Sequence, residues 1–121
     1  MNVKLLRKVA KHILAEPRRF QMSTWVCNGV PGSVLDEYTG HKFAQCGTAA
    51  CIGGWATILS KMERGDEERA LDITYEQGQR LFYVSAWPNK FGDKFQDSGK
   101  KQDARIAAAR IEHFIRTKGK E

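Results

Sequence analysis

Apolar residues recur at helical spacing in the first part of the chain. Between Val3 and Glu16 they fall at positions 5, 6, 9, 13 and 14, which lie on one face of an amphipathic helix. Asn2 is a preferred N-cap residue, and Pro17 disfavours helical backbone at the residue before it. The pattern therefore predicts a first helix over 3–16, with a basic face opposite the apolar one.

A second helix is predicted from about Ala49 to Met62, with Thr48 as its N-cap. Two adjacent glycines, Gly53 and Gly54, interrupt its apolar residues. Each glycine costs a helix ~1 kcal/mol relative to alanine. We therefore expect another backbone or a bulky ring to approach this helix closely at the glycine pair.

Two further segments have the same helical period. The third predicted helix opens at Thr74 with the Thr-x-x-Gln form of a capping box and runs to about Val84. We expect it to bury Leu81, Phe82 and Tyr75. The fourth runs over about Lys101–Thr117, where small and large apolar residues form one stripe.

The remaining segments lack a helical period. Residues 20–27 alternate only in part, residues 28–33 are rich in turn formers, and residues 34–45 indicate a loop or a small hairpin. Residues 63–72 indicate an acidic surface segment. The sequence thus predicts a mainly α, compact bundle of about four helices, with an irregular loop or small hairpin between the first two. One domain over 1–121 fits this length.

Composition narrows the class of protein. The chain has 121 residues, three cysteines and a formal net charge of +6. It has no apolar run long enough to span a membrane, and its first residues lack the apolar core and cleavage site of a secretory signal. We therefore expect a cytoplasmic protein with no membrane partner. An odd number of cysteines in such a chain predicts reduced thiols.

Basic residues are concentrated toward the two ends of the chain. Residues 1–42 hold seven basic residues against three acidic ones, and residues 81–121 hold nine against five. If the first and last helices pack side by side, their outer faces would form one basic surface for an anionic partner. The alternative is that these side chains only solvate helix exteriors. The residues expected to contact the partner are Lys4, Lys8, Lys11, Arg18, Arg19, Arg105 and Arg110.

Thiols and an imidazole are clustered before and at the start of the second helix. His41, Cys46 and Cys51 lie within eleven residues, and Cys27 precedes them. Thiolate and imidazole are ligands of tetrahedral structural zinc, so these four residues are the candidate metal site and zinc is the candidate cofactor. The alternative is that the cysteines pack as small buried residues and His41 faces solvent.

A catalytic interpretation uses the same residues. The positive end of a helix dipole lowers the pKa of a nearby thiol, and Cys46 and Cys51 are placed near the start of the second helix. His41 could then act as a base oriented by Asp36 or Glu37, as in Cys-His-acid catalysis. A further alternative is a phosphate held by the free N–H groups at 47–50.

The segment around these thiols resembles a signature of small uncharacterised bacterial and phage proteins. The signature is Cys-Gly-Thr-x-x-Cys-Ile-x-Gly-Trp-Ala, and it matches residues 46–56. The resemblance extends to residues 3–9, 81–83, 87–88 and 109–115. It implies a shared fold and little about activity. It also implies that Cys46 and Cys51 are structural and hold the start of the second helix against the third.

These observations favour binding over catalysis. We expect a small, basic, cytoplasmic binding or inhibitor protein, encoded by a phage, that acts without catalytic turnover. Its partner would be anionic: a nucleic acid, a nucleotide-like signal or an acidic surface of a host protein. The alternative is a thiol- or zinc-dependent enzyme, or a zinc-stabilised domain, that uses Cys46, Cys51 and His41.

Overall fold

Helices make up most of the described part of the chain. The computed structural model describes residues 1–23, 26–27, 49–62 and 65–121. The α-helices are α1 (Val3–Ala15), α2 (Ile52–Ser60), α3 (Glu67–Leu71), α4 (Tyr75–Phe82), α5 (Asn89–Gly92) and α6 (Lys101–Arg116). Strands β1 (Val26–Cys27) and β2 (Ala49–Ala50) pair in an antiparallel manner, and 3-10 turns occupy Pro17–Arg19 and Val84–Ala86. The predicted mainly helical fold is confirmed, and α1, α2, α4 and α6 correspond to the four predicted helices.

α1 forms as its sequence predicts. The Asn2 side chain accepts a hydrogen bond of 3.0 Å from the Leu5 N–H, which satisfies one of the free donors at the start of the helix. The helix ends at Ala15, two residues before Pro17. Most of its apolar face lies in the core, while Leu14 is 46% exposed at the edge of that face. The buried residues are Leu5, Leu6, Val9, Ala10 and Ile13.

α1 makes its most extensive contact with α6. Arg7 Nε lies 3.2 Å from Glu112 Oε1 near the end of α6, whereas Gly99, just before α6, packs beside Arg18. The two helices therefore run in opposite directions. Small side chains on α6 allow this close packing, and its buried apolar residues are Ala104, Ala107, Ala108, Ile111 and Phe114.

α2 begins three residues later than predicted. Ala49 and Ala50 are extended, and Cys51 is the N-cap, with its Sγ accepting a hydrogen bond of 3.3 Å from the Gly54 N–H. The predicted N-cap at Thr48 is wrong, because the pairing of β2 with β1 keeps the backbone before Cys51 extended. The hairpin predicted within residues 34–45 lies outside the described residues.

The close approach predicted at the glycine pair is confirmed at Gly53. A Cβ on Gly53 would lie 3.5 Å from the Phe82 ring of α4 and 3.2 Å from Glu67 Cγ of α3. Three helices thus meet at this point, and glycine leaves the space for the aromatic ring and the side chain of Glu67.

The region from α3 to α4 is partly as predicted. Both hydrogen bonds of the capping box at Thr74 are present. Leu81 is fully buried, but the expectation that Tyr75 is buried is wrong, since it is 70% exposed. The acidic segment at 63–72 was expected to lie on the surface, yet it contains α3, whose Ala70 and Leu71 are in the core.

Gly119, in the segment after α6, packs closely against Gln77 of α4. Its φ is +78°, and a Cβ there would lie 2.5 Å from Gln77 Nε2. Gln77 Oε1 accepts the hydrogen bond of the capping box from the Thr74 N–H, so its side chain cannot move away without loss of that bond. We expect Gly119→Ala to lower the free energy of unfolding by about 1–2 kcal/mol, measured by urea denaturation.

Gly65→Ala is the matched control for this prediction. Gly65 has a φ of +96° and no atom within 4 Å of its would-be Cβ. The loss of unfolding free energy in Gly65→Ala therefore measures the backbone strain of a positive φ without a steric collision. Equal losses in the two variants would contradict a role for the Gln77 contact.

Candidate functional site

The predicted lysines lie on one exposed face of α1. Lys4, Lys8 and Lys11 are all exposed and follow each other at spacings of four and three residues. Ala15, one turn beyond Lys11, is exposed on the same face. We call Lys4, Lys8 and Lys11 the lysine stripe.

A cleft of about 590 Å³ lies where the lysine stripe ends. Two short segments line it, residues 15–19 at and just after the end of α1 and residues 99–101 at the start of α6. They meet because Pro17 starts a 3-10 turn, and because Gly99 adopts a φ of +74° and packs against Arg18 Cα. Four of the lining side chains are cationic, and we call this site the basic cleft: Arg18, Arg19, Lys100 and Lys101.

The side chain of Arg19 is anchored at the wall of the basic cleft. Its Nη1 lies 3.0 Å from Glu16 Oε2, and its guanidinium lies 5.3 Å from the centroid of the Trp55 ring. Trp55 also donates a hydrogen bond of 2.9 Å from Nε1 to the Arg19 carbonyl. Glu16 is an acidic group within the basic cleft and offsets part of its charge. Among the described residues, Arg18 and Lys101 form no ion pair with a carboxylate.

The start of α6 is held in place by Asp103. Its carboxylate accepts hydrogen bonds from the Gln96 N–H at 3.0 Å and the Ser98 N–H at 2.6 Å, and from the Ser98 hydroxyl. Burial alone raises the pKa of Asp103, but these hydrogen bonds outweigh burial and hold the pKa below its usual value. The loop before α6 is thereby fixed, and the positive end of the helix dipole points toward the basic cleft.

Arg105 is exposed on α6, as predicted, but Arg110 is not part of the basic surface. Arg110 is fully buried, and its Nη2 donates a hydrogen bond of 3.1 Å to the Arg80 carbonyl near the end of α4. Burial lowers the pKa of Arg110 to about 10. The expectation that Arg110 contacts a partner is wrong, because it lies on the core face of α6 and satisfies a carbonyl at the end of α4.

Cys51, the one predicted thiol whose side chain is described, lacks the environment that the catalytic interpretation expects. Cys51 is buried, and burial raises the pKa of its thiol to about 11. The expectation that the helix dipole lowers this pKa is therefore wrong: desolvation is the larger effect. Cys46 and His41 lie outside the described residues, as do Asp36 and Glu37.

The zinc site stays a prediction. The backbone of Cys27 pairs with Ala49 across the strands, which places Cys27 one strand away from the segment that leads to Cys51. The described residues contain no group of three or more potential ligands. Of the four predicted ligands, only the side chain of Cys51 is described, so their mutual distances do not test the site.

We expect Cys51 to react slowly with iodoacetamide in the folded protein. A thiol with a pKa of about 11 presents about a hundredfold less thiolate at neutral pH than one with the ordinary value of 9.0. Peptide mapping by mass spectrometry after timed alkylation measures the rate at this residue. The same chain in concentrated urea is the control, and equal rates in the two conditions would restore Cys51 as a candidate nucleophile.

Sequence reasoning missed two features of the molecule. Lys100 and Lys101 belong to the basic cleft, and the signal was their place beside the start of a helix expected to pack on α1. A second pocket, between α2, α3 and α4, was not foreseen, because it collects Glu67, Glu68 and Tyr83 from segments that are separate in sequence.

Comparison with protein-family models, with curated proteins and with solved structures finds nothing that matches this chain. The resemblance to small bacterial and phage proteins therefore stays an expectation from the sequence. Within the described residues, no helix is both long and apolar enough to cross a membrane.

Proposed function

We propose that this protein binds a nucleic acid without catalysis, through the lysine stripe and the basic cleft. The observation that carries the proposal is their arrangement. The exposed lysines of α1 lead along one helix face to a cleft lined by four cationic side chains, and Arg105 on the antiparallel α6 lies on the outer side of the same helix pair.

The length of this cationic array favours a polyanion over a single small anion. Lys4 and Lys11 are seven residues apart, so they are separated by about 10 Å along the axis of α1, and the basic cleft extends the array beyond them. Phosphates repeat at a few ångströms along a nucleic acid, so several can be contacted at once. Contacts of this kind attract the backbone and do not select a base sequence.

The other anionic partners would use the same residues differently. A nucleotide-like signal would occupy the basic cleft alone and leave the lysine stripe without a contact. An acidic protein surface would cover both. In that case the affinity for oligonucleotides would not increase with their length. These differences separate the three partners by experiment.

The test is fluorescence anisotropy with labelled single-stranded and duplex oligonucleotides at several salt concentrations. We expect the logarithm of the binding constant to fall linearly with the logarithm of salt concentration, because the protein's cations displace counterions from the phosphates they bind. Reversal of charge in Lys4→Glu, Lys8→Glu and Lys11→Glu together should weaken binding at least about tenfold at low salt. The matched control reverses Lys61, Lys90 and Lys94, which are exposed, lie outside α1 and α6 and change the net charge equally.

The outcomes are distinct. Equal losses of affinity in the two triple variants would show that net charge alone determines binding, and would contradict a defined binding surface. If none of the oligonucleotides binds at low salt, the proposal is overturned. Binding of a mononucleotide with the affinity of a longer strand would replace it with the nucleotide-like signal.

A further inference from the structure

A pocket of opposite character lies between α2, α3 and α4. It has a volume of about 570 Å³, and among its lining residues are two carboxylates and three aromatic rings. No lysine or arginine lines it among the described residues. We call it the acidic aromatic pocket, and its defining residues are Glu67, Glu68, Tyr75, Phe82 and Tyr83.

The two carboxylates are positioned by glycines on the neighbouring helices. Glu67 Cγ lies 3.2 Å from the place of a Cβ on Gly53 of α2, and Glu68 Oε1 lies 2.9 Å from that place on Gly78 of α4. Larger residues at these positions would displace both side chains. Within the described part of the chain, neither carboxylate forms an ion pair with a basic residue.

The rings beside the carboxylates face solvent to an unusual degree. Tyr75 is 70% exposed and Tyr83 is 54% exposed, whereas tyrosines commonly keep most of the ring covered. A second pocket of about 350 Å³ shares Phe82 and Tyr83 with the first and continues past Val84 and Phe95. The two pockets therefore adjoin as one groove, with Glu67 and Glu68 at one end and a more apolar other end. That other end also contains Asp97, whose carboxylate accepts hydrogen bonds from the Met22 and Ser23 N–H groups.

We propose that this groove binds a basic segment of a partner protein, with one arginine or lysine side chain in the acidic aromatic pocket. A guanidinium or ammonium group is complementary both to carboxylates and to the faces of aromatic rings. The apolar end accommodates a residue next to that side chain. The site is distinct from the basic cleft, so this proposal goes beyond the proposed function and does not depend on it.

The test uses two peptides that differ only in charge. Acetyl-Gly-Arg-Leu-amide and the same peptide with citrulline in place of arginine are titrated into the full chain, and amide shifts are followed by NMR. We expect the arginine peptide to shift signals of α3 and of the residues around Tyr83, saturably, and the citrulline peptide to bind at least about tenfold more weakly. Equal affinities, or no saturable shift with the arginine peptide, would overturn the proposal.

Variants locate the binding site. The double variant Glu67→Gln, Glu68→Gln should bind the arginine peptide at least about tenfold more weakly than the unaltered chain. Tyr83→Ala should bind it several-fold more weakly. Glu76→Gln is the matched control, because Glu76 is an exposed carboxylate of α4 that does not line the pocket. An equal loss in Glu76→Gln would overturn the assignment. If the double variant does not fold, the comparison of the two peptides on the unaltered chain still decides.

A second copy of this chain is the competing occupant, since its own lysine stripe is basic. Sedimentation at rising protein concentration distinguishes the two cases. A monomer that binds the arginine peptide supports the proposal. Self-association that is abolished by both the lysine-stripe reversal and the double glutamine variant would overturn it in favour of a head-to-tail contact between copies.

Discussion

Replacement of Trp55 with alanine is expected to lower the free energy of unfolding by about 3–5 kcal/mol. Trp55 is 1% exposed, and its ring centroid lies 4.1 Å from that of His12 on α1. It also donates the hydrogen bond to the Arg19 carbonyl that ties the 3-10 turn to α2. Alanine would leave a cavity between α1 and α2 and would release the turn that forms one wall of the basic cleft.

Trp55→Phe separates these two effects. It retains most of the ring and removes the Nε1 donor, so we expect a loss of about 1–2 kcal/mol, smaller than that of alanine. Urea unfolding followed by circular dichroism gives both values. A loss below about 1 kcal/mol in the alanine variant would contradict the central place of this ring in the core.

Asp103→Asn is expected to destabilise the fold by about 2–3 kcal/mol. Asp103 is 3% exposed, and both of its oxygens accept hydrogen bonds from the loop before α6. Asparagine has only one oxygen acceptor, so its amide group would face an N–H donor of Gln96 or Ser98. The loop would then be held by fewer contacts, and the start of α6 would be less well fixed.

The stabilisation of the fold by the Asp103 carboxylate depends on pH. Because the pKa of Asp103 is lower in the folded chain than in the unfolded one, its carboxylate stabilises the fold above the unfolded value of about 3.9. That stabilisation is lost as pH falls through the folded pKa. Thermal unfolding of both proteins between neutral and acidic pH should therefore show a gap that narrows below about pH 4. A gap that stays constant would assign the loss to packing instead of charge.

Local rules were sufficient where a helix carries its own start and stop signals. α1 has Asn2 and Pro17, α4 has the capping box at Thr74, and α6 has a continuous apolar stripe. Each of these helices was predicted to within two residues at its ends. Their boundaries depend on hydrogen bonds and steric limits within a few residues of sequence, which is why they could be read from the sequence.

The errors arise where tertiary contacts decide the structure. β2 pairs with β1, and this pairing keeps Ala49 and Ala50 extended although alanine favours a helix. α3 is only five residues long, too short for a periodic pattern, and it is stabilised by the packing of Leu71 in the core. Tyr75 is at the first position of α4 and points away from the core.

The candidate site was predictable in part. The lysine stripe follows directly from helical spacing, since the apolar face of α1 fixes its opposite face. Arg110 was assigned to the basic surface because of its charge. It lies three residues after Ala107 and four before Phe114, so it shares the buried face of α6 with them. The basic cleft depends on the antiparallel packing of α1 with α6, which brings Arg18 beside Gly99.

That antiparallel packing also governs when the chain can fold. α1 leaves the ribosome well before α6, the helix that covers much of its apolar face. Until α6 emerges, Leu6, Val9 and Ile13 lack that cover and are available to chaperones or to aggregation. Packing of α6 on α1 closes a loop that includes most of the chain between them, and this closure has an entropic cost. A newly made molecule gains its stable core and its basic surface in the same event.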